Sequence, residues 1–168
     1  RARGLGDVYK RQLQNPPNEE WLSWRGTPRS WGYSPLNQIN TENVDELQLV
    51  WSWALDDTGS AQAAPLVHDG VMFIPAPRGV IQALDATSGD LLWEYRPGVT
   101  PSMDDSNQEI TAEELGDAAM PSTAFAGVGR GVQKNIAIYG DMVYAATENA
   151  SIRAVDARTG LLVWESQT

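Results

Sequence analysis

Few residues in this chain of 168 could carry out chemistry by their type alone. His68 is the only histidine, and the absence of cysteine excludes disulfides and thiolate metal sites within the sequence. His68 lies beside the Asp69-Gly70 turn signal, which favours a surface turn position over a metal ligand. Asp104 and Asp105 could contact a cation, but the ligand spacing of a calcium loop is missing, so a solvated loop is favoured. Residue types alone therefore predict no catalytic set.

The glycines at 127, 129 and 131 do not form a phosphate-binding loop. Such a loop ends in Lys followed by Ser or Thr and leads into a helix, and neither feature follows here. The net charge of −10 at pH 7 describes an acidic chain without a basic patch for nucleic-acid phosphates. No stretch reaches the length of a membrane-spanning helix. We therefore expect no nucleic-acid partner and no membrane span within this sequence.

The chain contains a repeated sequence motif, and the elements that this motif forms must position any site to which the chain contributes. The sequence ALDATSGDLLW at 83–93 recurs as AVDARTGLLVW at 154–164. Ala, Asp, Gly and Trp hold the same places in both copies, and the preceding residues, 71–85 and 142–156, align without a gap. Self-similar units of this kind are typical of repeat architectures, in which each unit needs neighbours to bury its apolar face.

Each copy is predicted to form strand, turn, strand, turn, strand. Asp-Gly or Gly-Asp pairs precede short apolar runs, which is a hairpin signal. Asp85 and Asp156 are predicted to accept bonds from backbone N–H groups, and the Gly four residues later to take a positive φ. Trp93 and Trp164 are predicted to lie on a neighbouring unit, where the small Ala leaves room. These motifs are therefore interpreted as packing devices and not as catalytic residues.

The segment before the repeats has a different composition. Residues 13–35 hold three Trp among several Pro and Gly, which favours an irregular aromatic strap packed across other units. Thr41 is predicted to cap a short helix over 43–47. Residues 49–54 alternate in polarity, with Trp51 and Trp53 on one face, and this pattern predicts a strand. In a closed ring, that strand could complete the last unit.

Three further stretches occur in a fixed order around the repeats: WRGTPRSWGYSPLNQINTENVDELQLVWSW at 24–53, APLVHDGVMFI at 64–74 and KNIAIYGDMVYAAT at 134–147. Together with the Trp repeats, they resemble the N-terminal part of the quinoprotein alcohol dehydrogenases and their tryptophan-docking motifs. The resemblance covers about 21–168 and is weakest over 96–133. It implies an all-β chain, a fragment of an eight-bladed β-propeller with about two four-stranded blades plus an N-terminal strand.

The expected organisation follows from the repeat and the resemblance. Residues 1–12 contain the string GDVYKRQ, which resembles the translation of a sequencing adaptor, so they are excluded from the fold. Residues 13–168 are expected to be the N-terminal part of a PQQ-type propeller domain. Within it we place blade one at 61–95, an insertion at 96–133 and blade two at 134–165.

The resemblance also implies a cofactor, pyrroloquinoline quinone (PQQ), and a metal ion, Ca²⁺ or a lanthanide. Gln62 stands where the family has an acidic residue that contacts the quinone, and it can donate and accept hydrogen bonds without a charge. Lys134 stands where the family has an Arg, and it keeps the positive charge without the planar fork. The general base and the metal ligands are expected beyond Thr168.

The implied activity is the oxidation of a small alcohol, with electrons passing to cytochrome c or to a quinone, in the periplasm. The fragment alone is expected to be inactive and poorly folded, because two blades leave an open edge. A non-enzymatic propeller, such as a scaffold for outer-membrane protein assembly, is the alternative. The aromatic segment 24–53 favours the enzyme, and the replacements at Gln62 and Lys134 favour the scaffold.

Overall fold

The structure is a computed structural model that describes residues 13–27, 29–55, 62, 64–98, 136–147 and 150–167. Predictions for residues 1–12, for 99–133 of the insertion and for Lys134 lie outside these ranges. The described strands form two antiparallel sheets of four strands each. Among the described helical segments, none is long and apolar enough to cross a membrane.

The two sheets have the same topology, with strands adjacent in the sheet in the order of the chain. The first sheet contains β1 (Leu66–His68), β2 (Val71–Pro75), β3 (Ile81–Asp85) and β4 (Leu91–Tyr95). The second contains β5 (Ile136–Tyr139), β6 (Met142–Ala146), β7 (Ser151–Asp156) and β8 (Leu162–Gln167). Two short 3₁₀ turns lie at Val44–Glu46 and Pro77–Gly79. The all-β prediction is confirmed.

The cross-strand rows show why Ala and Trp recur at fixed places. Ala83 pairs with Phe73 on one side and with Trp93 on the other. The rings of Phe73 and Trp93 approach to 5.9 Å between centroids at a tilt of 51°, a favourable aromatic geometry. A larger side chain between them would separate these rings. The second sheet repeats the row with Tyr144, Ala154 and Trp164, with ring centroids 6.0 Å apart.

The predicted hairpin turns are present. Asp69 and Gly70 have φ values of 49° and 77°, and Gly140 has a φ of 59°. Positive φ in such two-residue loops matches the right-handed twist of the flanking strands. The turn residues therefore determine the register of β1 with β2 and of β5 with β6.

The Asp caps are also confirmed. Asp85 Oδ1 accepts bonds from the backbone N–H groups of Thr87 and Ser88, at 2.8 and 2.9 Å, and from the Thr87 hydroxyl. The Thr87 hydroxyl bond, followed by these backbone bonds, holds the pKa of Asp85 below its usual value. Asp156 makes the same set of bonds with the two residues that follow Ala157. Slight burial raises the pKa of Asp156, but the bonds outweigh it and the net shift is downward.

The apolar core is continuous from one sheet to the other. Its buried members are Leu66, Phe73, Ile81, Ala83 and Tyr95 in the first sheet and Ile136, Ile138, Val143, Ala145 and Val155 in the second. Trp93 packs against this cluster from the outer strand of the first sheet. Each sheet therefore completes the burial of the other, as expected of adjacent repeats.

One prediction for the segment before β1 is wrong, and another stays a prediction. Residues 49–54 form no ladder among the described residues, and the unit that they are predicted to complete, the last of a closed ring, is not one of the two described sheets. The burial of these side chains nevertheless alternates as predicted: Trp51 and Trp53 are partly buried, while the residues between and beside them are exposed. Thr41 does not cap the 3₁₀ turn, because its hydroxyl donates to Glu42; Asn43 occupies the cap position without a side-chain cap bond.

Candidate functional site

Gln62 is the predicted cofactor contact that the structure describes. Its side chain is exposed, and it precedes Leu66, the first residue of β1, by four positions. In the sequence, Lys134 precedes Ile136, the first residue of β5, by two positions. Because β1 and β5 are the equivalent first strands of the two sheets, both residues precede the same end of the repeat. Contact of both with one ligand stays a prediction.

A shallow, open cavity of about 490 Å³ lies beside β1. The strap contributes Trp21 and Trp24 to its wall, and the lead-in to β1 contributes Pro65. These apolar surfaces suit a flat ring, whereas Glu19 and Glu20 on the same wall disfavour an anion. Ala64, two residues after Gln62 in the sequence, also lines the cavity.

The strap is fastened to β1 by backbone bonds. The N–H of Trp21 donates to the carbonyl of Val67 at 2.9 Å, and the N–H of Val67 donates to the carbonyl of Trp21 at 3.0 Å. The prediction that this segment packs across a unit is confirmed for Trp21. For Trp24 and Trp31, which are 55% and 70% exposed among the described residues, packing across another unit stays a prediction.

His68 has a different role from the predicted surface turn position. Its Nδ1 lies 2.8 Å from Glu20 Oε2, and both side chains are largely shielded. Glu20 Oε1 accepts the backbone N–H of Asp69 at 3.1 Å. Glu20, His68 and Asp69 are metal-ligating types, with ligand atoms within 4.8 Å of one another. Both Glu20 oxygens already have protein partners, so we assign the group to fastening the strap to the β1–β2 hairpin.

Trp93 docks onto the second sheet, as the motif predicts. Its Nε1 donates to the carbonyl of Ala157 at 3.0 Å, and its ring covers the turn glycine Gly160. Trp51 makes the equivalent contacts with the first sheet, at Ala86 and Gly89. Sequence reasoning missed this role for Trp51, because the Ala, Asp and Gly of the repeat frame do not precede it.

Gln82 is a buried polar residue that the sequence does not mark. Its side chain lies on β3 and is 4% exposed. Its Oε1 accepts the indole N–H of Trp53 at 3.0 Å, and its Nε2 donates to Glu94 Oε2 at 2.7 Å. The alternation in polarity over residues 49–54 indicates that the side chain of Trp53 is buried, but it does not indicate that Gln82 is its hydrogen-bond partner.

Comparison with known proteins identifies the architecture. The family model described as "PQQ: Glucose/ethanol/alcohol dehydrogenase, beta-propeller domain" matches residues 21–124, which is more than half of the chain. The "1-butanol dehydrogenase (cytochrome c)" of Thauera butanivorans is 35% identical over 149 residues, covering 89% of this chain and 19% of that protein.

Two solved structures resemble the fold over nearly the whole chain. The quinohemoprotein alcohol dehydrogenase from Comamonas testosteroni superposes with a TM-score of 0.71 at 30% identity, covering 99% of this chain and 22% of that one. A europium-containing methanol dehydrogenase superposes with a TM-score of 0.65 at 25% identity, covering 96% and 25%. The two sheets are thus propeller blades, and the chain spans about a fifth to a quarter of these proteins. From the family match and this fold, the chain belongs to the PQQ-dependent glucose, ethanol and alcohol dehydrogenases, as part of their β-propeller domain.

Proposed function

We propose that the protein containing this chain is a periplasmic dehydrogenase that oxidises small alcohols with PQQ and a metal ion and delivers electrons to cytochrome c or a quinone. The observation that carries the proposal is the superposition of 99% of the chain on a quinohemoprotein alcohol dehydrogenase. The relative from Thauera butanivorans, whose name includes cytochrome c, supports the acceptor. The europium named for the methanol dehydrogenase supports the use of a metal ion, for which we propose Ca²⁺ or a lanthanide.

The role proposed for this chain is to form one part of the wall around the cofactor. PQQ supplies a quinone that takes up two electrons, and a metal ion acting as a Lewis acid makes that quinone more electrophilic. The exposed amide of Gln62 fits an oxygen-rich ligand because its NH₂ group donates hydrogen bonds. Lys134 adds a positive charge suited to a carboxylate. We place the general base and the metal ligands beyond Thr168, in parts of the domain that this chain does not include.

The experiment uses the full-length protein, loaded with PQQ and with either Ca²⁺ or a lanthanide. We expect alcohol-dependent reduction of an artificial electron acceptor that requires both additions. Replacing Gln62 or Lys134 by Ala should weaken PQQ binding, measured as a Kd by titration of the apoprotein. Gln38→Ala is the matched control, because Gln38 is an exposed amide of the same type that lies three residues after the strap.

The outcomes separate the enzyme from the scaffold. Binding of PQQ without turnover of any primary alcohol would restrict the proposal to cofactor binding. A well-folded protein that neither binds PQQ nor oxidises alcohols would reject the enzyme and favour a non-enzymatic propeller.

A further inference from the structure

The strap presents an exposed surface that is both aromatic and positively charged. We call it the Arg–Trp loop, and its members are Trp24, Arg25, Arg29, Trp31 and Tyr33. The three aromatic residues are 55%, 70% and 72% exposed in chain order, and both arginines are exposed. Trp, Tyr and Arg are the residues that contribute most to binding at protein–protein interfaces. The loop is therefore a candidate contact surface.

Each arginine of the loop lies over a tryptophan ring. The Cζ atom of Arg25 lies 5.5 Å from the ring centroid of Trp24, and the Cζ atom of Arg29 lies 5.7 Å from that of Trp31. Both distances are within the range of cation–π attraction. The N–H of Gly32 donates to the carbonyl of Arg25 at 3.0 Å, which holds the two halves of the loop together. The guanidinium groups are thereby positioned before a partner binds.

The positive charge of the loop is not neutralised within the part of the chain that the structure describes. Arg25 and Arg29 form no ion pair with the described residues. Three other arginines there each have a carboxylate partner: Arg96, Arg153 and Arg158. The chain has 22 acidic and 12 basic residues, so a shortage of carboxylates does not explain two unpaired arginines in one loop.

The acidic residues beside the loop have other roles. Glu19 and Glu20 line the cavity together with Trp24. Glu20 is occupied by His68 and by the backbone N–H of Asp69. Glu19 is exposed and pairs with neither arginine. The described residues therefore leave the guanidinium groups of the loop without an anionic partner.

We propose that the Arg–Trp loop is a docking surface for an acidic segment of a partner protein. A guanidinium held on an aromatic ring presents its N–H groups in a fixed plane, which suits two parallel bonds to a carboxylate. The exposed rings supply apolar area that excludes water around such bonds. The segment that fits this surface carries Asp or Glu next to apolar side chains. The geometry of the loop carries the inference, which does not rest on the proposed enzymatic activity.

The test measures binding of a synthetic peptide to the full-length protein by fluorescence anisotropy. The probe is a labelled peptide in which Glu alternates with Leu, and the control peptide has Gln in place of Glu. We expect saturable binding of the Glu peptide at low salt and about tenfold weaker binding of the Gln peptide, because hydrogen bonds to charged groups are the stronger ones.

Variants of the protein locate the binding surface. Arg25→Ala should raise the Kd of the Glu peptide about tenfold, through loss of a charged hydrogen bond. Arg158→Ala is the matched control, because it removes the same charge from a side chain that is 82% exposed and lies outside the loop. Trp31→Ala changes no charge but removes the ring beneath Arg29, so we expect a Kd about threefold higher.

A milder variant keeps the proposal testable if Arg25→Ala fails to fold. Arg29→Lys keeps the charge and loses the planar fork, so the Kd should rise about threefold. Failure of the Glu peptide to bind overturns the proposal, and so does equal binding of the Gln peptide. Equal weakening by Arg25→Ala and Arg158→Ala also overturns it, because the peptide would then respond only to net charge.

Discussion

The ring of Trp93 fills the space that a side chain at Gly160 would need. A Cβ atom on Gly160 would lie 2.6 Å from Trp93 Cε3, closer than real Cβ contacts. Gly160 also has a φ of 72°, a conformation that other residues adopt at a cost. The glycine of the repeat is therefore required twice, by the turn and by the ring that the neighbouring blade places on it.

Gly160→Ala should destabilise the protein by about 2–4 kcal/mol, since strain at positive φ adds to an overpacked contact. Gly70→Ala is the matched control. Gly70 has a similar φ of 77°, but nothing lies within 4 Å of its added Cβ. We expect the control to cost about 1 kcal/mol, from backbone conformation alone. Equal losses in the free energy of unfolding, measured with denaturant, would show that the Trp93 contact contributes nothing.

Acid should weaken the repeat turns through Asp85. Its pKa in the folded protein is lowered from 3.8, so the folded state binds this proton less readily than the unfolded state. The stabilisation is fully present above about pH 4, near the unfolded value, and is lost as the pH falls through the folded pKa. Asp85→Asn removes the titrating charge and should flatten this part of the stability curve.

The measurement is the denaturant midpoint from about pH 3 to about pH 7, a range that brackets an ordinary carboxyl pKa. Asp45→Asn serves as the control, because Asp45 is an exposed carboxylate in the 3₁₀ turn before β1. If Asp85→Asn and the control retain the same dependence below about pH 4 as the unmodified protein, the cap does not contribute to acid sensitivity.

The strap should loosen when Glu20 is replaced. Glu20→Ala removes the partner of His68 Nδ1 and of the Asp69 N–H, and a buried charged hydrogen bond contributes about 1.5–3 kcal/mol. Glu19→Ala is the control, since Glu19 is the exposed neighbour of Glu20. We expect at least tenfold faster hydrogen exchange at the Trp21 and Val67 amides in Glu20→Ala only. Faster exchange at these amides in both variants would indicate general loss of acidic charge instead.

The sequence predicts what local chemistry determines. The caps of Asp85 and Asp156 follow from residues two or three positions away, and the docking of Trp93 follows from a repeated spacing. The contacts that the sequence does not indicate join partners distant in the chain. His68 bonds to Glu20, which is 48 residues away, and Trp53 bonds to Gln82, which is 29 residues away. No local pattern encodes such pairs.

The candidate cofactor contacts come from a different kind of argument. Gln62 and Lys134 are predicted from the family resemblance and stay predictions, because neither their types nor their spacing mark a quinone site. For residues 49–54, the alternation in polarity predicts which side chains are buried. A strand also needs a hydrogen-bonded neighbour, and the alternation does not indicate one. Trp51 and Trp53 are held by their indole groups instead, at Ala86 and Gln82.

Two substitutions of Trp93 in the full-length protein should separate the contribution of its ring from that of its N–H group. Trp93→Phe keeps a ring beside Gly160 and Phe73 but loses the bond to the Ala157 carbonyl, so we expect a loss of about 1 kcal/mol. Trp93→Ala also removes the ring between the two blades and should cost about 3–5 kcal/mol. If thermal unfolding gives equal losses for both variants, the hydrogen bond dominates the docking, and the overlap at Gly160 reflects proximity without stabilising contact.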